Sequence, residues 1–279
     1  MFPKRIALLE SLPIDQGSTF CRTWADSIQE DCHRHSVCDG RFVRRLACEE
    51  SSPTEVFSLA AVWLVNMVAG SYCFPRYVAA LASRAEQDAV RHGLLENAWD
   101  ESGSYNHTYR SHFWLAVRLA RLLGLADAEI DRIKPLPEAQ KYTDEHYRHC
   151  SEGEFGFAFG MICLIEEFTT PEFTLIFKAF LRSCKTGLGL EPSDFILKGG
   201  AEYFTANIGD DERHREDMPR LVATWLCASG VDLSSPSDVS RGLEQVRAGA
   251  RYSADLRAQF FEDIFRFVSD GGTFRDLVR

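Results

Sequence analysis

The chain has 279 residues, 45% of them hydrophobic, which is enough to bury a substantial core in one large domain or two. Asp and Glu number 41 against 31 Lys and Arg, so the formal net charge is −10 at pH 7. An acidic balance of this size argues against a nucleic-acid surface or an anionic membrane as partner.

The amino terminus and the cysteines predict the compartment. The first residues, MFPKRIALLESLPIDQ, are too short and too polar for a signal peptide, and we see no apolar run near the roughly 18 residues of a membrane span. Nine cysteines, an odd number with no CxxC pair, favour reduced thiols over a disulfide framework. We therefore expect a cytoplasmic protein with no membrane partner.

The first strong helix signal begins at Ser52. Pro53 takes the first helical position, and Glu55 completes a capping box three residues after the cap. The residues that follow are almost continuously apolar as far as Gly70. This stretch predicts a buried helix that ends at Gly70.

Helical periodicity continues along the rest of the chain. Further helices are predicted over residues 74–99, with an interruption near Ser83, and over 107–124, 136–150, 154–168, 172–187, 202–218 and 239–272. The segment 154–168 is apolar on all sides, which is typical of a central helix. Thr170 and Pro171 are expected to start the helix after it, and Gly187 to end that helix.

No alternating strand pattern, repeat or low-complexity linker stands out, so the sequence predicts a single all-α domain. Residues 1–50 are its least regular part. We expect them to form an irregular and partly helical N-terminal extension that packs on a helical domain over 51–279.

The segment EYFTANIGDDERHREDM, residues 202–218, places Asn207, Asp211 and His214 at spacings of four and three. Residues with these spacings share one face of a helix, and helical bundles build metal sites from such side chains. The same residues also fit a solvated polar stretch, and the spacing alone does not decide between the two interpretations.

Two other places set ionisable groups among apolar residues. Glu101 lies at a predicted helix end, and His112 follows on the next helix beside two aromatic residues. Glu166 and Glu167 lie at the end of an apolar segment, which normally excludes a charge that has no partner. The simpler interpretations are a turn residue, a core histidine, and a glutamate pair of which one member faces solvent.

Together these groups form a set of carboxylate oxygens and imidazole nitrogens. Such a mixed hard and borderline ligand set suits iron or manganese and is less typical of structural zinc. It is the reason to consider a redox metal in a helical bundle.

Two stretches carry a resemblance to a known family. Residues 74–125, with ENAWDESG, the helix that begins near His112 and the final LGL, resemble the heme-oxygenase-like diiron oxidases and oxygenases. The usual sequence motifs of that family are close to ENLxDExG, followed by a short loop, HxxLF and a helix that ends in LGL. YFTANIGDDERH, residues 203–214, is similar to its YFTxHxxxDxxH, with Asn207 in place of the first histidine. The resemblance covers about residues 55–225 and implies a seven-helix heme-oxygenase-like bundle with an extra N-terminal segment.

The resemblance also implies a ligand set. The family's ligands are the Glu of DExG, the His that opens the next helix, a Glu in a central helix, and the polar positions of the YFT segment. In this chain they correspond to Glu101, His112, Glu166 or Glu167, Asp211 and His214, with Asn207 at the position of the missing histidine. Of these, the resemblance assigns a direct part in catalysis to Glu101, His112, Asp211 and His214.

By the same resemblance we expect two Fe(II) per chain, with O₂ as cosubstrate and no heme. An amide oxygen is a weaker donor than imidazole, so Asn207 should leave one iron weakly bound. Our hypothesis assigns the tight iron to Glu101, His112 and His214, and the labile iron to Asp211, the Glu166 or Glu167 carboxylate and Asn207. A competing interpretation is that Asn207 marks a member with one iron or none.

The implied reaction is O₂-dependent C–H oxidation, desaturation or C–C cleavage of a small amino acid or alkyl carboxylate in secondary metabolism. N-oxygenating members carry an extra carboxylate on the preceding helix, and residues 71–77, SYCFPRY, offer none. A substrate carboxylate requires a buried cation, for which Arg76 and Arg110 are the candidates. The small-molecule substrate is the expected partner, and a homodimer is compatible with the resemblance.

Two other functional classes stay open. The first is a cofactor-independent or mono-iron enzyme on this scaffold; the cofactor-independent members include the oxidase of pyrroloquinoline quinone synthesis and thiaminase-like hydrolases. The second is a non-catalytic small-molecule-binding module. Charged groups kept inside a bundle argue for a metal, because burying them without a partner is costly.

Overall fold

The computed structural model describes residues 19–25, 28, 38–103 and 111–278, and leaves the side chains of residues 210–213 undescribed. Within these residues the secondary structure is helical, with no β-strand. The α-helices are α1 Thr19–Trp24, α2 Arg41–Ala47, α3 Pro53–Arg84, α4 Asp88–Glu101, α5 His112–Leu122, α6 Asp127–Ile130, α7 Pro137–Glu152, α8 Phe155–Leu188, α9 Pro192–Leu197, α10 Glu202–Ala228, α11 Pro236–Gly242 and α12 Glu244–Ser269. A 3₁₀ turn, Phe274–Val278, follows.

Seven of the described helices are longer than ten residues, namely α3, α4, α5, α7, α8, α10 and α12. Helix α8 lies at the centre of the bundle, where it packs against α3, α7, α10 and α12. The prediction of an all-α protein with an apolar central helix over residues 154–168 is therefore confirmed.

The start of α3 is the one that the capping box predicts. The Ser52 hydroxyl accepts a hydrogen bond from the backbone N–H of Glu55 at 3.2 Å, and Pro53 is the first residue of the helix. The predicted break near Ser83 is also present, because α3 ends at Arg84 and α4 begins at Asp88.

Three predicted helix boundaries are wrong. Helix α3 continues through Gly70 and Pro75, and α8 continues through Pro171 and Gly187 to a C-cap at Gly189, whose φ is 66°. An internal proline removes a backbone hydrogen bond and costs about 3 kcal/mol. Both helices are buried along most of their length, so tertiary packing outweighs this local cost.

Two glycines set the closest approach between α8 and α12. A Cβ on Gly160 would lie 1.9 Å from the carbonyl oxygen of Val246, and a Cβ on Gly249 would lie 1.8 Å from that of Phe157. The two backbones are therefore in direct contact at this crossing, which only glycine permits. The contact fixes the position of α8 and the side chains it carries.

The described core consists mainly of two apolar clusters, one toward each end of the bundle. In α8 the change from one cluster to the other falls between Leu164 and Phe168, and in α10 it falls between Phe204 and Met218. The polar residues in these two intervals consequently occupy a layer between the clusters. That layer is where the sequence places its candidate ligands.

The described part of residues 1–50 packs on the bundle. Phe20 and Trp24 of α1 belong to one apolar cluster, and Phe42 and Leu46 of α2 belong to the other. The boundary at residue 50 itself stays a prediction. No disulfide joins any two of the eight cysteines that lie among the described residues.

Helix α3 has an 18-residue window that is long and apolar enough to cross a membrane, judged by length and composition alone. The sequence analysis expected no apolar run of this length, and this finding differs from that expectation. In the folded protein 67% of this window is buried, so its apolar character also serves the core.

Candidate metal centre

The turn between α4 and α5 brings the first two predicted ligands together. Glu101 is the last residue of α4, and His112 is the first residue of α5 after the N-cap Ser111. Both side chains are buried, and the Glu101 carboxylate lies 2.6 Å from His112 Nδ1. An imidazole that donates Nδ1–H to a carboxylate carries its lone pair on Nε2, which is a common preparation for a metal ligand.

A second group forms around Glu166 of α8. Asn97 of α4 donates its side-chain N–H to one Glu166 oxygen at 2.6 Å, and the other oxygen lies 3.4 Å from His214 Nδ1. His214 Nε2 lies 3.4 Å from the Asp100 carboxylate. Helices α4, α8 and α10 thus each contribute to one buried polar group.

Both glutamates at 166 and 167 are buried, with exposed fractions of 1% and 6%. The expectation that one of them faces solvent is wrong, because α8 is enclosed by neighbours on nearly every side at this level. Glu166 lies in contact with a candidate ligand, His214.

Asn207 and His214 are both buried on α10, as their shared face predicts. The Asn207 amide nitrogen donates to the carbonyl of Tyr203 at 2.6 Å, so the amide oxygen is the atom left to serve as an acceptor or a metal ligand. Asp211 lies on the same helix, but its side chain is outside the described residues.

The carboxylates around His214 change its protonation. Burial disfavours the charged imidazolium, but Glu166, Asp100 and Glu101 together outweigh burial and raise the pKa of His214 to about 11. In the metal-free protein His214 is therefore protonated at neutral pH. A metal ion at this position would take the place of that proton.

Carboxylates are the more numerous ionisable groups among the described buried side chains of the layer. Glu101, Glu166 and Glu167 are buried there together with the imidazoles of His112 and His214. Buried carboxylates gathered in one place are commonly held together by a cation, because burying charge without compensation is costly.

Two buried oxygens of this layer also make no hydrogen bond within the described part of the chain, Glu166 Oε2 and Asn97 Oδ1. Buried acceptors without a hydrogen bond are uncommon in native proteins, and a bound ion is one of their standard explanations. The donor set is oxygen and nitrogen, which fits iron.

The candidate ligands contact one another in pairs, Glu101 with His112 and Glu166 with His214. Among the described residues, no group of three or more His, Cys, Asp and Glu side chains is arranged to hold a metal ion. Metal binding would therefore require these side chains to shift from their present arrangement toward the ion.

A cavity of about 60 Å³ adjoins this layer. Glu101 and Asn207 lie in its wall, which is otherwise mainly apolar and aromatic, and Arg257 of α12 is the cation that lines it. The sequence offered two other arginines as the cation for a substrate carboxylate. Arg76 is exposed and stacks on Tyr72, whereas Arg110 lies outside the described residues.

Sequence reasoning missed three residues of this region. Asn97 lies four residues before Glu101 and three before Asp100, spacings that place it on a shared helical face with each of them, and this was available as a signal. Arg257 carried no such signal, because it lies far along the chain from the other residues that line the cavity.

The two glutamates can be separated experimentally. We expect Glu166→Gln to weaken Fe(II) binding by at least about tenfold, because it removes the charge that faces His214, and Glu167→Gln to weaken it much less. Anaerobic Fe(II) titration of both variants measures this. Equal losses, or a larger loss in Glu167→Gln, would contradict the assignment of Glu166.

Comparison with known proteins gives the family. A family model described as "Iron-containing redox enzyme" matches residues 61–236. No curated protein matches the sequence.

Solved structures give the fold. A CadD-like protein of unknown function from Nostoc punctiforme is similar with a TM-score of 0.65 and 17% identity, over 93% of this chain and 99% of the other. A domain of unknown function with a heme oxygenase-like fold from Shewanella denitrificans has a TM-score of 0.60 and 14% identity, over 94% and 98%. The heme-oxygenase-like all-α fold predicted from the sequence is therefore confirmed.

Proposed function

Because the chain belongs to the family of iron-containing redox enzymes, we propose that it is a non-heme iron enzyme that uses O₂ to oxidise a small amino acid or alkyl carboxylate. The observation that carries this proposal is the gathering of three buried carboxylates and two buried imidazoles, among the described residues, in the layer between the two apolar clusters. Bound ferrous iron would supply the activation of O₂ that C–H oxidation, desaturation or C–C cleavage requires.

The side chains of the layer have distinct parts in this function. Glu101, His112, Glu166 and His214 would hold the metal, and Asn97 orients Glu166 through its 2.6 Å hydrogen bond. Because Glu101 and Asn207 lie in the wall of a cavity whose lining is otherwise mainly apolar, a substrate bound there would contact the ligand set while most of its surface is covered by apolar side chains.

The number of irons depends on Asn207. We propose two, one held tightly with Glu101, His112 and His214, and one held weakly where Asn207 replaces an imidazole. Glu166 and Asp100, and after them Glu101, raise the pKa of His214, so Glu101 lies within electrostatic reach of His214, which supports placing both residues around one ion. Glu166 contacts His214 directly, and its carboxylate would hold the weakly bound ion beside the tight one.

Restoring the imidazole tests this division. Asn207→His should strengthen binding of the weaker iron by about tenfold or more, because imidazole is the better donor, and should leave the tight iron unchanged. Asn207→Ala is the matched control and should weaken the second iron further. Anaerobic Fe(II) titration with Mössbauer detection measures both sites, and two equally tight irons in the unmodified protein would contradict the division.

The reaction itself needs a separate experiment. The metal-free protein is loaded with Fe(II) anaerobically and then exposed to O₂ with and without candidate amino acids and short carboxylic acids. We expect a transient visible absorption band whose decay depends on the substrate, together with an oxidised product detected by mass spectrometry. Failure to bind any iron would instead favour a cofactor-independent enzyme or a binding module on this scaffold.

A further inference from the structure

The polar layer that contains Glu101, Glu166 and His214 is called the metal layer below. A buried ion pair beside it has no part in the proposed ligand set. Arg257 of α12 donates from Nε to Glu172 Oε2 at 3.0 Å and from Nη2 to Glu172 Oε1 at 2.5 Å. Trp63 of α3 donates its indole N–H to the same carboxylate at 2.6 Å. Both charged side chains are buried, with exposed fractions of 7% for Arg257 and 4% for Glu172.

The orientation of the guanidinium is fixed before any ligand binds. It lies over the rings of Tyr142, Phe260 and Phe261, with its central carbon 5.0, 5.4 and 5.5 Å from their centroids. Glu172 accepts from Nε and Nη2, and the Tyr142 hydroxyl also lies within hydrogen-bonding reach of the guanidinium. A second carboxylate would bind at Nη1, which Glu172 does not use.

Arg257 lines the same cavity as Glu101 and Asn207. Tyr203 lies close to both regions. Burial is the main reason that the pKa of its hydroxyl is raised, and the charges of Glu101, Glu172 and Arg257 also influence that pKa. One buried ring thus lies within electrostatic reach of both the metal layer and the ion pair. A molecule in this cavity would have carboxylate oxygens at one wall and a fixed cation at another.

The cavity limits the size of that molecule. Its volume is about 60 Å³ on a measure by which one water takes roughly 10–15 Å³, which leaves room for about four to six non-hydrogen atoms. A three- or four-carbon monocarboxylate fits this space, and a longer alkyl chain would have to extend out of it.

We propose that Arg257 is the positioning residue for the carboxylate of a short monocarboxylic substrate, which it binds through Nη1 while Glu172 holds the guanidinium in place. The substrate's carbon chain then extends toward Glu101 and Asn207. This inference rests on the proposed function and specifies its substrate class. The rival explanation is that the Arg257–Glu172 pair only ties α3, α8 and α12 together.

Isothermal titration with butanoate and with butanamide, its neutral analogue of the same size, separates the two explanations. Both compounds are added to metal-free protein and to protein loaded anaerobically with Fe(II). We expect butanoate to bind at least tenfold more tightly than butanamide in both states, and octanoate to bind more weakly than butanoate. The metal-free arm removes direct ligation of iron as the source of the preference.

The double variant Arg257→Gln/Glu172→Gln removes both charges without leaving either one buried alone. It should lose the preference for butanoate while its circular dichroism spectrum stays that of the unmodified protein. Arg118→Gln/Glu202→Gln, which removes an ion pair between α5 and α10 that is partly exposed and outside the cavity, is the matched control and should keep the preference.

A second variant guards against misfolding of the first. Glu172→Gln frees the guanidinium and should raise the affinity for butanoate, with no change for butanamide. The inference is overturned if butanoate binds no better than butanamide, or if the preference survives in Arg257→Gln/Glu172→Gln. Iron binding is measured separately, so a protein that loads iron but shows no such preference would overturn the role of Arg257 and leave the proposed function standing.

Discussion

His112→Ala should lose the tight ferrous ion, with Fe(II) affinity at that site reduced by at least about 100-fold. His112 is buried at the start of α5 and is paired with Glu101, so its replacement removes a ligand and leaves the Glu101 carboxylate without its partner. Loss of a residue that merely supports a ligand already costs 10- to 100-fold in metal affinity, and loss of a ligand itself should cost more.

The measurement is an anaerobic Fe(II) titration of metal-free protein, read by bound iron and by Mössbauer spectroscopy. His149→Ala is the matched control, since His149 pairs with Glu145 on the same helix, α7, and takes no part in the metal layer. It should bind iron as the unmodified protein does. Unchanged iron binding in His112→Ala would remove His112 from the ligand set.

Gly160→Ala should lower the free energy of unfolding by roughly 3 kcal/mol or more. The added methyl group would lie 1.9 Å from the Val246 carbonyl oxygen, and the atom in its way belongs to the backbone of α12, which cannot turn aside as a side chain can. The two helices must therefore separate, and the packing of α8 against α12 is lost over more than one turn.

Gly209→Ala is the control for this prediction. A Cβ at Gly209 meets nothing within 4 Å, and the residue lies in the interior of α10, so alanine should raise the free energy of unfolding by about 0.5–1 kcal/mol. Urea unfolding of metal-free protein, followed by circular dichroism, measures both variants. The opposite order of stabilities, or equal values, would show that the close crossing is not rigid.

The sequence by itself determined the fold class and several helix ends. Caps and breaks act within a few residues, so Ser52 and the interruption near Ser83 could be read locally and are confirmed. The shared face of Asn207 and His214 follows from helical geometry alone, and both residues are buried together. The family resemblance followed from short motifs of the same kind.

Tertiary packing decided at which positions the local signals for a helix end have no effect. Pro75 and Pro171 are strong local signals for a helix end, yet α3 and α8 pass through them. The gain comes from burial against helices that are distant in sequence, and no window of the chain contains that information. The burial of both Glu166 and Glu167 has the same origin.

Partners across the bundle were also decided by tertiary structure. The choice of Glu166 over Glu167 as the neighbour of His214 depends on how α8 turns toward α10. The pairing of Glu172 with Arg257 joins residues 85 positions apart. Spacing along one helix predicts which side chains share a face, but only the packing of helices decides which faces meet, because that depends on the sum of many weak contacts along their whole length.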